Sequence, residues 1–398
     1  MIPRHRPAFG PGRVLLEFLR CAVPVRVEDV EQCFCEAFTI SQAVLVPSVR
    51  AGIRWVLREV AAPGGPVFCP AFTCQVVHEA VVRAGRELRL VDNADGSLLM
   101  ATWAIEAALG AGAPVVLCEV FGHTYDLASL PKAAGDGVRI VDMAMTVPDR
   151  DLTARLAERD VGMLSFGIGK CVYSGWGGMC FTRSPELACA LRRWRDREVG
   201  RSKTTLLLRR AGQILARTAA HGSWLYGPLR RRQDARARVR PNEPPKSGGE
   251  LIQNWRRGEH SSAEWSDPST AIDRRLTLWN IRSAESNRLR RRSLAERYRV
   301  GLAEVQGVRL PAESAGAMSH FTIRVDSAIR RTLVRMLWQR GIDVATFFPF
   351  PCYASAASCP HAARAAEEVV NLPLSPNLTF HDIDYICESL TAAIASPR

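Results

Sequence analysis

The sequence predicts an α/β fold: a large domain with a mostly parallel sheet flanked by helices, followed by a smaller C-terminal α/β domain. From about residue 44 to residue 200, short apolar runs alternate with stretches whose apolar residues recur at helical spacing. Such alternation is typical of strand–helix units wound around a parallel sheet. The alternation resumes over a shorter length near the end of the chain, and 398 residues suffice for two domains of ordinary size.

The predicted strands of the large domain are short runs dominated by aliphatic side chains. They are AVLV (43–46), PVFC (66–69), ELRLV (87–91), PVVLC (114–118), VRIV (138–141), VGMLSF (161–166) and GGMCFT (177–182). Between them, AGIRWVLREVAA (51–62) and CQVVHEAVVRAG (74–85) place apolar residues on one helical face. Because ligands of such sheets bind at the carboxyl ends of the strands, the residues that follow each strand are candidates for a site.

The remainder of the chain divides into three further regions. The C-terminal region is expected to contain a long helix over 268–303, a strand at 320–325, a helix at 327–341, a strand at 342–346 and a final helix at 381–394. The predicted regions are an N-terminal segment at 1–43, the large domain at 44–200, a basic insertion and linker at 201–262, and the small domain at 263–398.

The formal net charge of +13 is concentrated in one segment. Residues 201–240 hold eleven basic residues and one acid, a sum of +10, so the rest of the chain carries +3 (13 minus 10). The excess says little about the large domain, and we expect no nucleic-acid partner. Two interpretations of the segment stay open. It is either a solvated arginine-rich helix followed by the linker RPNEPPKSGGE (240–250), or a basic amphipathic helix that contacts a membrane surface or a partner protein.

The composition also excludes several classes of protein. No apolar run reaches the roughly 18 residues that a membrane-spanning helix needs. The N-terminus MIPRHRPAFGPGRV lacks the apolar core of a signal peptide, so we expect a cytoplasmic location. The twelve cysteines are scattered at irregular spacings, which favours reduced thiols in small apolar sites over a disulfide framework. No pair of CxxC motifs and no His/Cys cluster indicates a metal site.

One lysine stands out in the stretch SFGIGKCVYSGWGG (165–178). Of the 53 basic residues only four are lysines, and three of these, Lys132, Lys203 and Lys246, lie in polar or basic surroundings. Lys170 instead follows a strand that is predicted to be buried. Arginine stays protonated, whereas a lysine in a partly apolar site can lose its proton and act as a nucleophile. The sequence therefore predicts a reactive amine at Lys170.

Three other side chains complete a candidate site. Asp142 ends an apolar strand, where a lone carboxylate is costly unless it is paired. Ser48 is a suitable N-cap for the helix that follows it, and the free N–H groups there favour an anion. Ser165 precedes Lys170 by five residues. Singly, each has a structural explanation. Together they supply a phosphate seat, a carboxylate for a pyridinium nitrogen and an amine for an imine, the set that pyridoxal 5′-phosphate requires.

Six motifs along the chain agree with one family in order and spacing. They are PAFTCQVVHEAVVRAG (70–85), LCEVFGHTYDLASL (117–130), VDMA (141–144), SFGIGK (165–170), GGM (177–179) and VVNLPLSPNLTFHDIDYICESL (369–390). In this arrangement the sequence resembles the DegT/DnrJ/EryC1/StrS family of pyridoxal-phosphate-dependent sugar aminotransferases, which have the aspartate aminotransferase fold (fold type I). The resemblance covers about 44–200 and 268–394, and the stretch 201–262 matches more weakly.

The resemblance implies a role for each matching residue. Lys170 forms an imine with the cofactor aldehyde and later acts as general acid and base, while Asp142 keeps the pyridine nitrogen protonated. Ser165, Ser48 and the backbone at Val49 and Arg50 hold the cofactor phosphate. The implied reaction moves an amino group, usually from glutamate, to a keto-sugar nucleotide in polysaccharide or antibiotic-sugar synthesis. Because fold-type-I enzymes build each site at a dimer interface, the resemblance also implies a homodimer.

Several positions depart from the family pattern. Cys74 occupies the place of the aromatic residue that stacks on the cofactor ring, and Met145 that of a glutamine near the ring hydroxyl. Phe347 and Tyr353 stand where histidines are common, and the asparagine that the partner subunit lends to the phosphate has no clear counterpart. Arg50 is either an additional anion contact or a helix-surface arginine. These departures bear more on the sugar-nucleotide substrate than on cofactor binding.

Two alternatives to the aminotransferase stay open. The first is a dehydratase or related lyase that uses the same cofactor. Some relatives of that kind replace the lysine with histidine, and the presence of Lys170 argues against those. The second is a non-catalytic relative whose arginine-rich segment, residues 201–240, docks on a membrane or on another biosynthetic enzyme.

Overall fold

The fold is described from a computed structural model of the chain. The structure describes residues 1–60, 64–133, 135, 137–222, 225–239, 265–311 and 316–395. The predicted linker at 240–250 and the lysine at position 246 lie outside the described residues.

A seven-stranded sheet forms the centre of the molecule, and two short two-stranded sheets accompany it. The strands are β1 Gln42–Val46, β2 Pro66–Pro70, β3 Glu87–Val91, β4 Val115–Cys118, β5 Arg139–Asp142, β6 Thr146–Val147, β7 Val161–Ser165, β8 Gly178–Thr182, β9 Ala317–Met318, β10 Phe321–Arg324 and β11 Val369–Leu372. The large sheet has the order β1-β8-β7-β5-β4-β2-β3, in which β8 runs antiparallel to both of its neighbours. The other described pairings of this sheet are parallel, so the predicted fold class is confirmed.

Helices cover both faces of this sheet. They are α1 Pro11–Leu19, α2 Val27–Phe38, α3 Val49–Val60, α4 Gln75–Arg83, α5 Thr102–Gly110, α6 Leu152–Arg155, α7 Pro185–Glu198, α8 Thr204–His221, α9 Tyr226–Val239, α10 Ala271–Arg282, α11 Ala284–Leu302, α12 Ser327–Gln339, α13 Pro360–Glu368 and α14 Phe380–Ala395. Alternate residues of β1 show the two layers: Val44 and Val46 pack into one core, Ala43 and Leu45 into the other. Burial on both faces explains why the central strands are continuous apolar runs.

The predicted long helix over 268–303 is wrong in one respect, because the structure divides it into α10 and α11 at Ser283. The backbone of Ser283 leaves the helical region (φ −97°, ψ 4°), and its hydroxyl donates to the carbonyl of Trp279 (2.9 Å). Serine competes in this way with the helical hydrogen-bond ladder. The apolar periodicity continues through the break, so the sequence pattern does not reveal it.

The predicted strand at 342–346 is also wrong. Only isolated bridges form there, between Ile342 and Ile2 and between Ala345 and Asn371. The partner that β10 finds is β11, which pairs with it in antiparallel register. The sequence motif 369–390 begins with β11, and prolines and polar residues follow the strand directly. The sequence pattern therefore does not reveal this buried strand of four residues.

The basic segment forms α8 and the following α9, and α8 has a packed face. The guanidinium of Arg210 is buried, donates to Asp273 (2.5 Å) and Asp267 (3.3 Å), and lies 4.2 Å from the ring of Trp176. Ile214 of the same helix is buried as well. These contacts exclude the interpretation of α8 as a wholly solvated helix. Among the described residues, no helix is both long and apolar enough to cross a membrane.

A buried ion pair ties β5 to the turn before β7. Nε and Nη2 of Arg139 donate to the two carboxylate oxygens of Asp160 at 2.8 and 2.6 Å, and both side chains are at most 2% exposed. Replacing Asp160 with alanine leaves the buried guanidinium without its anion. We expect the free energy of unfolding to fall by about 3–5 kcal/mol, measured by urea denaturation.

The matched control for this prediction is an exposed ion pair. Asp384 accepts from Nε of Arg297 at 2.6 Å on the protein surface. Solvent screens such pairs, so Asp384→Ala should change the free energy of unfolding far less. Equal losses in the two variants would contradict the assignment of Arg139 and Asp160 as a structural pair.

Candidate active site

Lys170 lies in a loop that leaves the carboxyl end of β7. Hydrogen bonds close this loop at Phe166, whose N–H donates to the Gly177 carbonyl (2.9 Å) and whose carbonyl accepts the N–H of Ser174 (3.0 Å). Lys170 is half-buried, and its Nζ lies 3.3 Å from Sδ of Met145. The loop therefore holds an amine at the edge of the sheet where parallel strands end.

Asp142 is the last residue of β5 and is buried beside this amine. One carboxylate oxygen accepts the N–H of Ala144 at 2.9 Å. Burial raises the pKa of Asp142, whereas the positive charge of Lys170 and the Ala144 hydrogen bond act to lower it. The structure thus brings these two sequence-predicted residues close enough to interact electrostatically.

The pairing of β8 with β1 and β7 brings the hydroxyl-bearing residues Ser48 and Ser165 to the same end of the sheet. Gly178 pairs with Val46 of β1 on one side and with Ser165 of β7 on the other. Ser48 follows Val46 by two residues, so the N-terminus of α3 and the end of β7 lie at the same end of the sheet. Ser165 uses its Oγ to accept the Gly167 N–H (3.3 Å).

Ser48 and the first residues of α3 lie where the sequence predicts a seat for an anion. Oγ of Ser48 accepts the N–H of Ala51 at 3.3 Å, so Ser48 caps the helix as expected. The backbone approaches closely here. A Cβ on Gly178 would lie 2.9 Å from the Leu164 carbonyl oxygen and 3.2 Å from the Val49 nitrogen. Glycine at this position lets the strand and the helix N-terminus meet.

Two other predicted residues are engaged elsewhere. The guanidinium of Arg50 lies 6.0 Å from the ring of Trp265, in cation–π geometry. The hydroxyl of Tyr353 lies 2.6 Å from Nδ1 of His78, whose Nε2 is 2.9 Å from the carbonyl of Pro70. These contacts hold both side chains against residues that surround the carboxyl ends of the strands.

Cys74 and Met145 stand where the resemblance led us to expect an aromatic ring and a glutamine, and a further thiol, Cys118, lies nearby. Cys74 is half-buried at the N-cap of α4, and Cys118 ends β4 beside Asp142. Burial raises the pKa of Cys118 well above its usual range, and the nearby carboxylate of Asp142 acts in the same direction. Cys118 is therefore a neutral thiol at neutral pH. Together with Met145 it forms a polarisable, weakly polar wall.

Sequence reasoning missed the N-terminal segment as part of this region. Its backbone is fastened by the Ile2 N–H, which donates to the carbonyl of Gly341 (2.7 Å), and Arg4 pairs with Asp343 (2.5 Å). These contacts carry His5 to the Lys170 loop, where a Cβ on Gly169 would meet Nε2 of His5 at 3.0 Å. The run PRHRP has neither strand nor helix periodicity, so nothing local in the sequence marks it.

His5 joins a group of rings around Lys170. Its ring centroid lies 4.6 Å from that of His320 and 6.2 Å from that of Phe347, the position where the family commonly has histidine. Burial lowers the pKa of His5 to about 3, and nearby positive charges, including Lys170, act in the same direction. His320 is fully buried, its pKa is lowered by burial, and its Nε2 has no hydrogen-bond partner in the part of the chain that the structure describes. Both imidazoles are neutral at pH 7.

The chemistry of these groups fits pyridoxal 5′-phosphate. An amine and a buried carboxylate face one edge of the sheet, and two serine hydroxyls with a helix N-terminus lie at the same edge. The amine suits the aldehyde, the carboxylate suits the pyridinium nitrogen, and the hydroxyls with free N–H groups suit the phosphate. Within the described residues, no group of three or more His, Cys, Asp or Glu side chains could hold a metal ion.

A sequence model of one protein family matches most of the chain. The family is the DegT/DnrJ/EryC1/StrS aminotransferase family, and the match covers residues 24–212 and 272–391. The unmatched stretch between these two ranges includes the end of α8, all of α9 and the linker.

Solved structures with the same fold include two aminotransferases and a dehydratase. The aminotransferase TlmJ from Streptoalloteichus hindustanus has a TM-score of 0.70 at 21% identity, with 99% of each chain covered. The sugar aminotransferase CalS13 from Micromonospora echinospora has a TM-score of 0.72 at 19% identity, covering 98% of this chain and 100% of that one. The Escherichia coli GDP-4-keto-6-deoxy-D-mannose-3-dehydratase, solved with hydrated PLP, has a TM-score of 0.70 at 14% identity, covering 98% and 99%.

Proposed function

The chain belongs to the DegT/DnrJ/EryC1/StrS aminotransferase family, whose cofactor is pyridoxal 5′-phosphate, and we propose that it transfers an amino group from glutamate to a keto-sugar nucleotide. This proposal rests on one observation: Lys170 lies near enough to buried Asp142, at the carboxyl ends of the strands, for its charge to act on that carboxylate. We also propose polysaccharide or antibiotic-sugar synthesis as the context.

In this proposal each residue has a distinct task. Lys170 anchors the cofactor, Asp142 carries the negative charge that faces the ring nitrogen, and Ser48 and Ser165 hold the phosphate with the backbone of Val49. When bound, the cofactor supplies an electron sink that weakens the bond between the substrate α-carbon and its hydrogen. Once its amine is free, Nζ of Lys170 carries the proton that leaves this carbon.

Burial of Asp142 serves this chemistry because a charge in a dry site acts strongly on its neighbours. Lys170 lies against the thioether of Met145 (3.3 Å), which accepts hydrogen bonds only weakly. The amine therefore lies near one buried carboxylate and against a thioether. In this proposal Lys170 gives and takes a proton during the reaction.

The experiment that tests the proposal is a spectral titration of the purified chain. Addition of pyridoxal phosphate should give the absorbance of a lysine-bound cofactor, and glutamate should then convert the cofactor to its pyridoxamine form. A panel of keto-sugar nucleotides should reverse the conversion. Absence of any lysine-bound form would contradict the proposal.

The same titration separates the dehydratase alternative. A dehydratase would consume its sugar substrate without leaving an aminated sugar, whereas the proposed enzyme yields an amino sugar that mass spectrometry detects. A non-catalytic relative would give neither product with any member of the panel.

Removing the proposed phosphate hydroxyls should weaken cofactor binding. We expect Ser48→Ala and Ser165→Ala each to raise the dissociation constant for pyridoxal phosphate about tenfold, because each loses a hydrogen bond to a charged group. Equilibrium dialysis of the cofactor measures this. Ser293→Ala removes an exposed hydroxyl on α11 that bonds only the Arg290 carbonyl, and it should leave the constant unchanged. Unchanged affinity in both site variants would contradict the phosphate assignment.

The assembly and location of the enzyme are also proposals. We propose a cytoplasmic homodimer, as the family relationship suggests. The exposure of Ile168 (57%) in the Lys170 loop supports a subunit contact there, because large aliphatic side chains are usually buried in an assembled protein. Peripheral membrane contact through residues 201–240 remains a second proposal for the outer face of α8, where Leu208 is exposed.

A further inference from the structure

A small cavity beside Lys170 is lined mainly by cationic and neutral polar groups. The N-terminal segment, α8, α11 and the loop before Ser375 meet there. About 20 Å³ remains free inside, and the empty space between the lining residues is about 360 Å³ when the solvent at the open mouth is included. No Asp or Glu side chain is among its lining residues. Besides Lys170, the lining residues that carry the argument are His5, Arg6, Arg217, His221, Arg291 and Ser375.

Arg6 and Arg217 have no anionic partner within the described part of the chain. Neither guanidinium takes part in an ion pair or hydrogen bond there. Burial lowers the pKa of Arg217, and the groups that oppose this effect are two neutral phenols, Tyr173 and Tyr226, instead of a carboxylate. Arg210, about two turns earlier in α8, pairs with two aspartates. The contrast indicates that an anion for Arg217 does not come from the described part of the chain.

Arg291 adds a buried positive charge to the same cavity. It is 5% exposed, and its four hydrogen bonds all go to neutral oxygens, including the Leu374 carbonyl (2.5 Å) and the Asn287 amide oxygen (2.8 Å). The adjacent Ser375 is 2% exposed, and its Oγ has no hydrogen-bond partner among the described residues. A buried cation without a counter-ion is costly, so its presence favours an anion that arrives from outside.

The one carboxylate whose charge acts on both histidines of the cavity is already engaged. Asp343 forms no ion pair with Arg6 or Arg217. Its carboxylate binds Arg4 (2.5 Å), Arg230 (3.4 Å) and the Tyr226 hydroxyl instead. The cavity therefore keeps an excess of positive charge next to the amine of Lys170.

We propose that this cavity binds an anionic group of the substrate, a carboxylate or a phosphate, through Arg6 and Arg217, which makes these two residues determinants of substrate specificity. The inference rests on the proposed function, since it takes Lys170 as the reacting amine. Guanidinium groups form paired hydrogen bonds with both kinds of anion. It also assigns a task to the basic segment: Arg210 fixes α8 against the fold, and Arg217 faces the substrate.

Calorimetric titration of the cofactor-loaded, full-length protein tests this inference. The probes are glutarate, an unreactive dicarboxylate, and inorganic pyrophosphate. We expect Arg217→Ala and Arg6→Ala each to weaken binding of the preferred probe about tenfold or more. Arg209→Ala is the control, because it removes the same charge from α8 at a side chain that is 60% exposed. Binding of glutarate alone identifies a carboxylate as the anion, and binding of pyrophosphate alone identifies a phosphate.

Two results would overturn the inference. One is equal binding of both probes by Arg217→Ala, Arg6→Ala and the unsubstituted protein; the other is binding of neither probe by the unsubstituted protein. Thermal unfolding of each variant shows whether it is folded, and Arg217→Lys, which keeps the charge, should restore part of the affinity. Attachment of the cofactor to Lys170, measured on the same samples, separates the two failures. Attachment without probe binding defeats this inference alone, whereas absence of attachment defeats the proposed function.

Discussion

Lys170→Arg is expected to lower turnover at least about 1000-fold and to abolish covalent attachment of the cofactor. Arginine keeps a positive charge beside Asp142, so the electrostatic partner of the buried carboxylate is retained. What is lost is an amine that can release its proton and bond to a carbonyl carbon. The measurement is the rate of amino-sugar formation at saturating cofactor, together with the absorbance of the bound cofactor.

Lys132→Arg is the matched control for this variant. Lys132 is exposed, so its replacement should leave turnover unchanged. Because arginine preserves the charge at both positions, any difference between the variants reports the chemistry of the amine. Turnover of Lys170→Arg within tenfold of the unsubstituted enzyme would show that this amine does not react.

Asp142→Asn is expected to reduce turnover about 100-fold or more. The amide has almost the same shape and can still accept the Ala144 N–H with its oxygen, but it carries no charge to hold a proton on the ring nitrogen. Steady-state kinetics measures the loss, which should appear in kcat. Retention of kcat would show that the carboxylate has no part in the reaction.

The same substitution should have the opposite effect on the stability of the cofactor-free protein. Burial is the largest effect on the pKa of Asp142 and raises it above the value in the unfolded chain. A raised carboxyl pKa disfavours the ionised folded state, so the penalty is absent below the unfolded pKa of about 4 and complete above the folded pKa. Asp142→Asn removes this penalty.

Urea denaturation of the cofactor-free proteins at two pH values checks this sign. At pH 7.5 the free energy of unfolding of Asp142→Asn should exceed that of the unsubstituted chain, and the difference should shrink as the pH falls towards 4. A variant that loses both activity and stability at pH 7.5 would indicate that Asp142 is a structural residue.

Much of the sheet could be predicted because its strands are buried on both faces. Seven predicted strands lie within a residue or two of β1, β2, β3, β4, β5, β7 and β8. Their uninterrupted aliphatic runs leave little choice of element. The helices α3 and α4 were equally legible from the spacing of their apolar residues. The break at Ser283 was missed because the apolar period continues through it, although the Ser283 hydroxyl bonds the Trp279 carbonyl. The strand β11 was missed because its pairing with β10 depends on tertiary contacts that no local period reports.

The residues of the site likewise fall into those that the sequence predicts and those that only the packing reveals. Asp142 and Ser165 end strong strands and Lys170 follows one, so the rule that ligands meet strand ends places them together. Nothing in the sequence points to a site at His5 and Arg6, which lie in a segment without strand or helix periodicity, or at Arg217, which lies on the basic helix α8. Only the packing of the N-terminus and α8 brings these residues to Lys170. The division into four regions, and the roles of Cys74 and Met145, stay predictions.

The most direct test of the central claim is to locate the cofactor on the chain. The protein is incubated with pyridoxal phosphate, reduced with borohydride, digested and analysed by mass spectrometry. A family member built as described should carry the reduced cofactor on the peptide that contains Lys170. Label on Lys132 or Lys203 at equal or greater yield, or no label on any peptide, would contradict the account.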